Sequence, residues 1–108
     1  MSRAKRIDRN QPEIVKLFRE LGAKVAITSD AGNGFPDLVV QFRDPRRKNY
    51  NLETLLVEIK DPLQPPGGRQ LTPKQKEFHA VFNCHIVETD EDVFDLLGMT
   101  DPDGRYAA

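Results

Sequence analysis

The sequence has no tryptophan, 2 tyrosines and a single cysteine, Cys84. One thiol cannot close an intramolecular disulfide, so the chain is no disulfide scaffold and suits a reducing compartment. Without tryptophan, and with so little tyrosine, no platform for stacking bases is advertised. No apolar run approaches the ~18 residues that cross a bilayer, and the basic, polar residues 1–10 have no hydrophobic stretch behind them; membrane insertion and secretion are both disfavoured. Net charge is also nearly absent, at -1, which on its face speaks against a polyanionic partner. The total conceals a gradient: through Lys48 there are 11 Lys and Arg against 6 Asp and Glu, from Asn49 to Ile86 4 against 4, and from Val87 onward 1 against 7. Such an asymmetry permits a basic face turned to phosphates with the acidic end directed elsewhere, and it is equally the pattern of a solvated, charge-mixed surface.

What is present is a globular balance: 108 residues, 38% hydrophobic and 31% charged, enough for one domain with a modest core. Asn10-Gln11-Pro12-Glu13 has a capping residue with Glu three places on. Ile14, Leu17, Phe18 and Leu21 then follow helical spacing up to Gly22, a C-terminal cap. Residues 24–28 read as a short strand. After a turn-rich stretch, residues 37–43 read as a second strand, with Leu38, Val40 and Phe42 on one face and Asp37, Val39, Gln41 and Arg43 on the other. A polar connection carrying Arg46, Arg47 and Lys48 leads, as in a long hairpin, to a strand over 55–60. Residues 61–70 read as an irregular surface loop. Thr72-Pro73-Lys74-Gln75 is a second capping box, opening a helix with Phe78, Val81 and Phe82 as its buried stripe. A brief strand over 85–87 precedes a last helix capped by Asp90, with Val93, Leu96 and Leu97 inward and Gly98 closing it. The order is α-β-β-β-α-β-α: a basic arm (1–9), one domain (10–98) and a polar tail (99–108).

Chemistry concentrates in three residues. Glu58 and Lys60, two apart, project from one face of a strand whose other face, Leu55, Val57 and Ile59, is apolar. If this strand pairs with the one that Asp37 opens, Asp37 approaches Glu58. Two close carboxylates repel unless a proton or cation lies between them, so the arrangement favours a hard divalent ion such as Mg²⁺, with the backbone carbonyl of Ile59 as a further oxygen. Lys60 beside such an ion is placed to orient an attacking water or to oppose charge developing on a phosphoryl group. The bland alternative is a Glu-Lys pair on a wet strand face, with Asp37 a turn residue after Pro36.

Gly34-Phe35-Pro36-Asp37-Leu38-Val39-Val40 followed by Leu56-Val57-Glu58-Ile59-Lys60 resembles the PD-(D/E)XK nuclease signature. Residues 10–22 look like the leading helix of that superfamily, and Leu71-Thr72-Pro73-Lys74-Gln75-Lys76-Glu77-Phe78-His79 is similar to the glutamine-bearing segment of its virus-type replication-repair (VRR-NUC) branch. The resemblance covers about residues 10–97. It implies a restriction-endonuclease-like α/β fold with a central mixed sheet flanked by helices, and hydrolysis of DNA phosphodiesters with Mg²⁺ or Mn²⁺. Asp37 and Glu58 would be metal ligands, Lys60 the catalytic lysine, Glu13 a helix carboxylate completing the acidic cluster, and Gln75 a glutamine approaching the site. Glu13 and Gln75 are each also the third helical residue of a capping box, which explains them without catalysis.

Small members of the branch resemble Holliday-junction resolvases, which implies branched DNA as substrate, a homodimer to supply two sites, and a bacterial or phage-infected cytoplasm. Candidate phosphate contacts are Arg3, Lys5, Arg6 and Arg9 on the arm, Arg46, Arg47 and Lys48 on the hairpin, and Arg69, Lys74 and Lys76 near the loop. Each is also what an ordinary surface charge looks like. Two competing readings use the same residues: a DNA-binding module without turnover, and a nuclease subunit that needs a replication or repair partner. Ala31-Gly32-Asn33-Gly34 lacks the full dinucleotide or P-loop pattern. Cys84, His85 and His79 lack zinc spacing, although His79, one turn after Gln75, keeps a minor catalytic role open.

Overall fold

The computed structural model describes residues 8–49 and 51–99. Helix α1 (Gln11–Glu20) is followed by strand β1 (Lys24–Ile27), a 3₁₀ turn (Ser29–Ala31), strands β2 (Leu38–Arg43) and β3 (Leu52–Ile59), a short helix α2 (Pro66–Arg69), helix α3 (Pro73–Val81), strand β4 (Cys84–Val87) and helix α4 (Asp90–Leu97). The result is an α/β fold on a four-stranded mixed sheet in the order β1-β2-β3-β4. The pairs β1–β2 and β2–β3 are antiparallel and β3–β4 is parallel, because only the last connection carries the crossover through α2 and α3 that parallel strands need.

Alternation sorts the sheet into two unlike faces. Leu38, Val40 and Phe42 of β2, Val57 and Ile59 of β3 and Val87 of β4 point to one side and are buried, together with Ile14, Val15 and Phe18 of α1 and Val93 and Leu97 of α4. The opposite face carries Asp37, just ahead of β2, and Glu58 and Lys60 at the end of β3. The register pairs Leu38 with Val57, so one residue further out Asp37 stands opposite Glu58.

Several local expectations change. The buried stripe of α1 is Gln11, Ile14, Val15 and Phe18, one helical face at i, i+3, i+4 and i+7, with Leu17 and Leu21 only packed against it. The capping box expected at Asn10 is absent: the Asn10 side chain caps nothing, its Nδ2 being turned to two strand ends and its buried Oδ1 having no hydrogen-bond partner. At the other end Gly22, at φ 93°, lets the N–H of Ala23 donate to Phe18 O at 3.0 Å. Strand β3 starts at Leu52, three residues ahead of the expected 55, because it continues pairing along β2 as far as Arg43. The loop over 61–70 contains the helical turn α2. Thr89, rather than Asp90, caps α4: its hydroxyl accepts the N–H of Asp92, whose carboxylate accepts the N–H of Thr89. The expected apolar stripe of α3 is not buried. Val81 is 76% and Phe82 50% exposed, Phe78 rests edge-on against Phe35 with ring centroids 5.2 Å apart, and the residue that α3 buries is Gln75.

Candidate active site

Asp37 is placed by its neighbours on both sides. Thr28 holds the chain entering β2, its hydroxyl donating to Pro36 O at 2.8 Å and its N–H to Asp37 O at 2.7 Å. Across the sheet the N–H of Ile59 donates to Asp37 Oδ2 at 2.8 Å. The main chain between Glu58 and Lys60 is thus bonded directly to the Asp37 carboxylate. This is the engagement seen at Ile59, whose carbonyl was the expected contributor.

Glu58 and Lys60 are 1% and 7% exposed, an unusual state for charged side chains that requires partners. Lys60 Nζ lies 3.7 Å from Glu58 Oε2. Gln75 joins them from α3: its Nε2 donates to Glu58 Oε2 at 3.0 Å, and its Oε1 accepts from Lys60 Nζ at 3.0 Å and from the N–H of Thr72 at 2.9 Å. One amide therefore closes the capping box of α3 and bridges the carboxylate and the ammonium, so the two roles expected of Gln75 coexist. The helix is brought to the site by Gly34. At φ 81°, a conformation that glycine adopts at little cost, its α-carbon approaches the backbone of Lys74 so closely that a Cβ would collide with Lys74 O and stand 2.9 Å from Gln75 N.

Glu13 does not join the group. It lies on the exposed side of α1 with Lys16 and Glu20, because its phase on the helix differs from that of Ile14 and Phe18. The helix residue that turns inward is Gln11, 3% exposed, which sequence reading passed over. The stripe expected at Ile14, Leu17, Phe18 and Leu21 does not include it; Gln11 joins the buried face because the burial of Ile14, Val15 and Phe18 sets the rotation of α1. Gln11 Nε2 donates to Ser29 Oγ at 2.9 Å, and its buried Oε1 has no hydrogen-bond partner. Asn10 was also missed beyond its cap role. Its Nδ2 donates to Lys60 O at 3.1 Å and Glu88 O at 2.9 Å, clamping the first turn of α1 to the ends of β3 and β4.

The candidate phosphate contacts divide. Arg9 makes two bonds of 3.1 Å to the buried Asp61 carboxylate. The Leu63 N–H and the Arg9 guanidinium hold Asp61 below its ordinary range. Arg46 pairs with Asp44 at 2.9 Å and donates to Asp95 O and Leu96 O at the end of α4; its hydrogen bond lowers the Asp44 pKa. Arg47 pairs with Glu53 at 3.0 Å and Arg69 with Glu88 at 3.8 Å. Lys48, Lys74 and Lys76 are exposed. Arg3, Lys5 and Arg6 lie outside the described residues. Burial, and secondarily the charge of Glu58, pushes the Cys84 thiol up, which makes it a poor nucleophile.

The donor chemistry fits a small hard cation: two carboxylates on facing chain segments, with Lys60 alongside, match the one or two carboxylates by which Mg²⁺ is usually held. Among the described residues no group of three or more His, Cys, Asp or Glu side chains is gathered. No helix among the described residues is long and apolar enough to cross a membrane. Comparisons with models of protein families, with curated proteins and with solved structures return no match.

Proposed function

We propose that the chain is a divalent-metal-dependent endonuclease with a restriction-endonuclease-like core, hydrolysing phosphodiester bonds in DNA, with branched DNA such as four-way junctions as its substrate. The observation that carries this reading is the convergence of Asp37, Glu58 and Lys60 at one end of the sheet, with Gln75 bonded to two of them. Two carboxylates supply the charge to hold Mg²⁺ or Mn²⁺ against a phosphate. When bound, the ion supplies Lewis acidity and a water that ionises near neutral pH.

The chain's own residues do the rest. Asp37 is immobilised by the Ile59 N–H, and Glu58 by the Gln75 amide, so the oxygens need little reorganisation to receive a ligand. Lys60, aligned by Gln75 Oε1, is directed at a phosphate oxygen as water adds to phosphorus and one P–O ester bond breaks; its ammonium opposes the charge that accumulates there. Lys74 and Lys76, on the exposed side of the helix that carries Gln75, and Lys48 on the hairpin are the groups for the flanking phosphates. Val81, Phe82 and Ile86, all substantially exposed, supply the apolar area for a second copy, and with it a second site.

Purified wild type, Asp37→Asn and Lys60→Ala, incubated with four-way-junction, flap and linear DNA in Mg²⁺ or EDTA, test the reading. Cutting that requires Mg²⁺ and falls by about 10²-fold or more in both variants is expected. Unchanged cutting by both variants overturns it. Binding of DNA with no turnover in any metal replaces it with a binding module.

A further inference from the structure

Three cation–carboxylate pairs close the end of the sheet at which β3 and β4 finish, and they are held with unequal strength. Arg9 makes two bonds of 3.1 Å to Asp61, whose side chain is 2% exposed. Lys60 and Glu58, both buried, share the Gln75 amide. Arg69, at the end of α2, is different. Its Nη1 stands 3.8 Å from Glu88 Oε2, the two side chains are 36% and 33% exposed, and its buried Nε has no hydrogen-bond partner. Guanidinium–carboxylate hydrogen bonds run at about 2.7–2.9 Å, so this pair is a charge contact within reach of water, of the kind that contributes little to stability. Its position gives it a use. The register of Ile59 with Val87 puts Glu88, one step further, beside Lys60, and Asn10 Nδ2 ties the two main chains by donating to Lys60 O and Glu88 O. From the other side, Arg69 is three residues, at most about 11 Å of chain, from Thr72, whose N–H meets the Gln75 oxygen that aligns Lys60.

We propose that Arg69 is a further phosphate-binding residue of the site and that Glu88 holds it in reserve: on contact with DNA the guanidinium exchanges the Glu88 carboxylate for a backbone phosphate next to the one that is cut. This rests on the nuclease reading and deepens it, because it names a residue that grips the strand only once the strand is there. The exchange gives up a charge contact at 3.8 Å, frees an Nε that has no acceptor, and gains the planar fork-on-oxyanion geometry for which a guanidinium is suited. Arg9 and Lys60 are not exchangeable in this way, since each would leave a buried carboxylate without its cation. Glu88, a third exposed, is solvated when Arg69 departs. In the free protein the pair therefore masks one positive charge beside the active site.

Binding of a fluorescently labelled four-way junction in EDTA, where metal-dependent cutting is off, tests this on the full chain through a double-mutant cycle of Arg69→Gln and Glu88→Gln. Glu91→Gln, exposed on α4, controls for the loss of one negative charge. Arg69→Gln is expected to bind about tenfold more weakly and to lower the slope of affinity against salt by about 1. Glu88→Gln is expected to bind about two- to fivefold more tightly than wild type, a gain that disappears in the double variant and is not shared by Glu91→Gln. A purely structural pair would instead weaken binding in both single variants. Thermal melting checks folding; if Arg69→Gln does not fold, Arg69→Lys, which keeps the charge without the fork, replaces it in the cycle with a loss of about threefold expected. Wild-type affinity in the Arg69 variant, no gain in Glu88→Gln, or a gain that persists without Arg69 overturns the inference; Mg²⁺-dependent cutting that is lost in Asp37→Asn then leaves the nuclease reading standing. No binding of DNA by wild type overturns both.

Discussion

Gln75 shows how one side chain can satisfy local and distant demands together. Its amide oxygen accepts from Thr72 within α3 and from Lys60 on the sheet, so its removal should be felt in two separable measurements. Gln75→Ala is expected to lower stability by about 1 kcal/mol through the weakened cap, read by urea denaturation. It should also reduce cleavage at saturating metal while retaining Mn²⁺ binding, because Asp37 and Glu58 remain. Loss of stability without any kinetic effect would confine Gln75 to capping. Gly34 supports the same contact from the other side. Gly34→Ala places a methyl against the Lys74 backbone at a positive φ and is expected to cost about 1–3 kcal/mol, with a lowered melting temperature as the readout. A melting temperature equal to wild type would show that the turn can move away from α3 freely.

At the scale of elements, the helices are held by different means. Helix α1 inserts Phe18, fully buried, into the core, and Phe18→Ala is expected to cost about 3–5 kcal/mol, a large share of the roughly 5–15 kcal/mol available to such a domain. Helix α4 combines burial of Val93 and Leu97 with a side-chain cap from the hairpin: Arg46 donates to its last carbonyls while Asp44 holds the guanidinium, a favourable charge at a helix C-terminus. Arg46 therefore binds the hairpin to α4 and is withdrawn from the set of simple phosphate contacts. Helix α3 is the exception, with Val81 and Phe82 in solvent and Gln75 inside. Its spacing of phenylalanines reads as a core stripe, but the open sheet face offers it a polar site rather than an apolar surface. That inversion is what makes the helix available to the site.

For the whole molecule, acidity should act through groups whose pKa values folding lowers. Asp44 and Asp61 are held below 3.8, so the stability they contribute is complete above the unfolded value and is lost as the pH falls through the folded one. Burial holds His85 below 6.5, so its contribution is full above 6.5 and declines as the pH falls toward the folded value. Denaturation between pH 8 and 2 is expected to show both stages, and Asp61→Asn should shrink the lower one; identical profiles for the two proteins would contradict the Arg9–Asp61 anchor. The proposed association with DNA belongs to the same scale. Lys74→Ala with Lys76→Ala is expected to weaken binding across sequences and to reduce the slope of affinity against salt by about 1 for each phosphate left without its lysine, measured by fluorescence anisotropy.

Alternation of apolar and polar residues determined that Asp37, Glu58 and Lys60 would share a sheet face, because the period of a strand is two whatever surrounds it, and the cap signals marked α3 and the end of α1 for equally local reasons. Which helix residue would reach the sheet end was decided by packing: the burial of Ile14, Val15 and Phe18 fixes the rotation of α1, and that rotation turns Gln11 in and Glu13 out. The fate of the arginines was likewise decided only in three dimensions, since Asp61 and the α4 carbonyls lie about fifty residues from Arg9 and Arg46. Short-range periodicity is written along the chain, whereas the partners of a buried charge are chosen by which segments the folded core brings together.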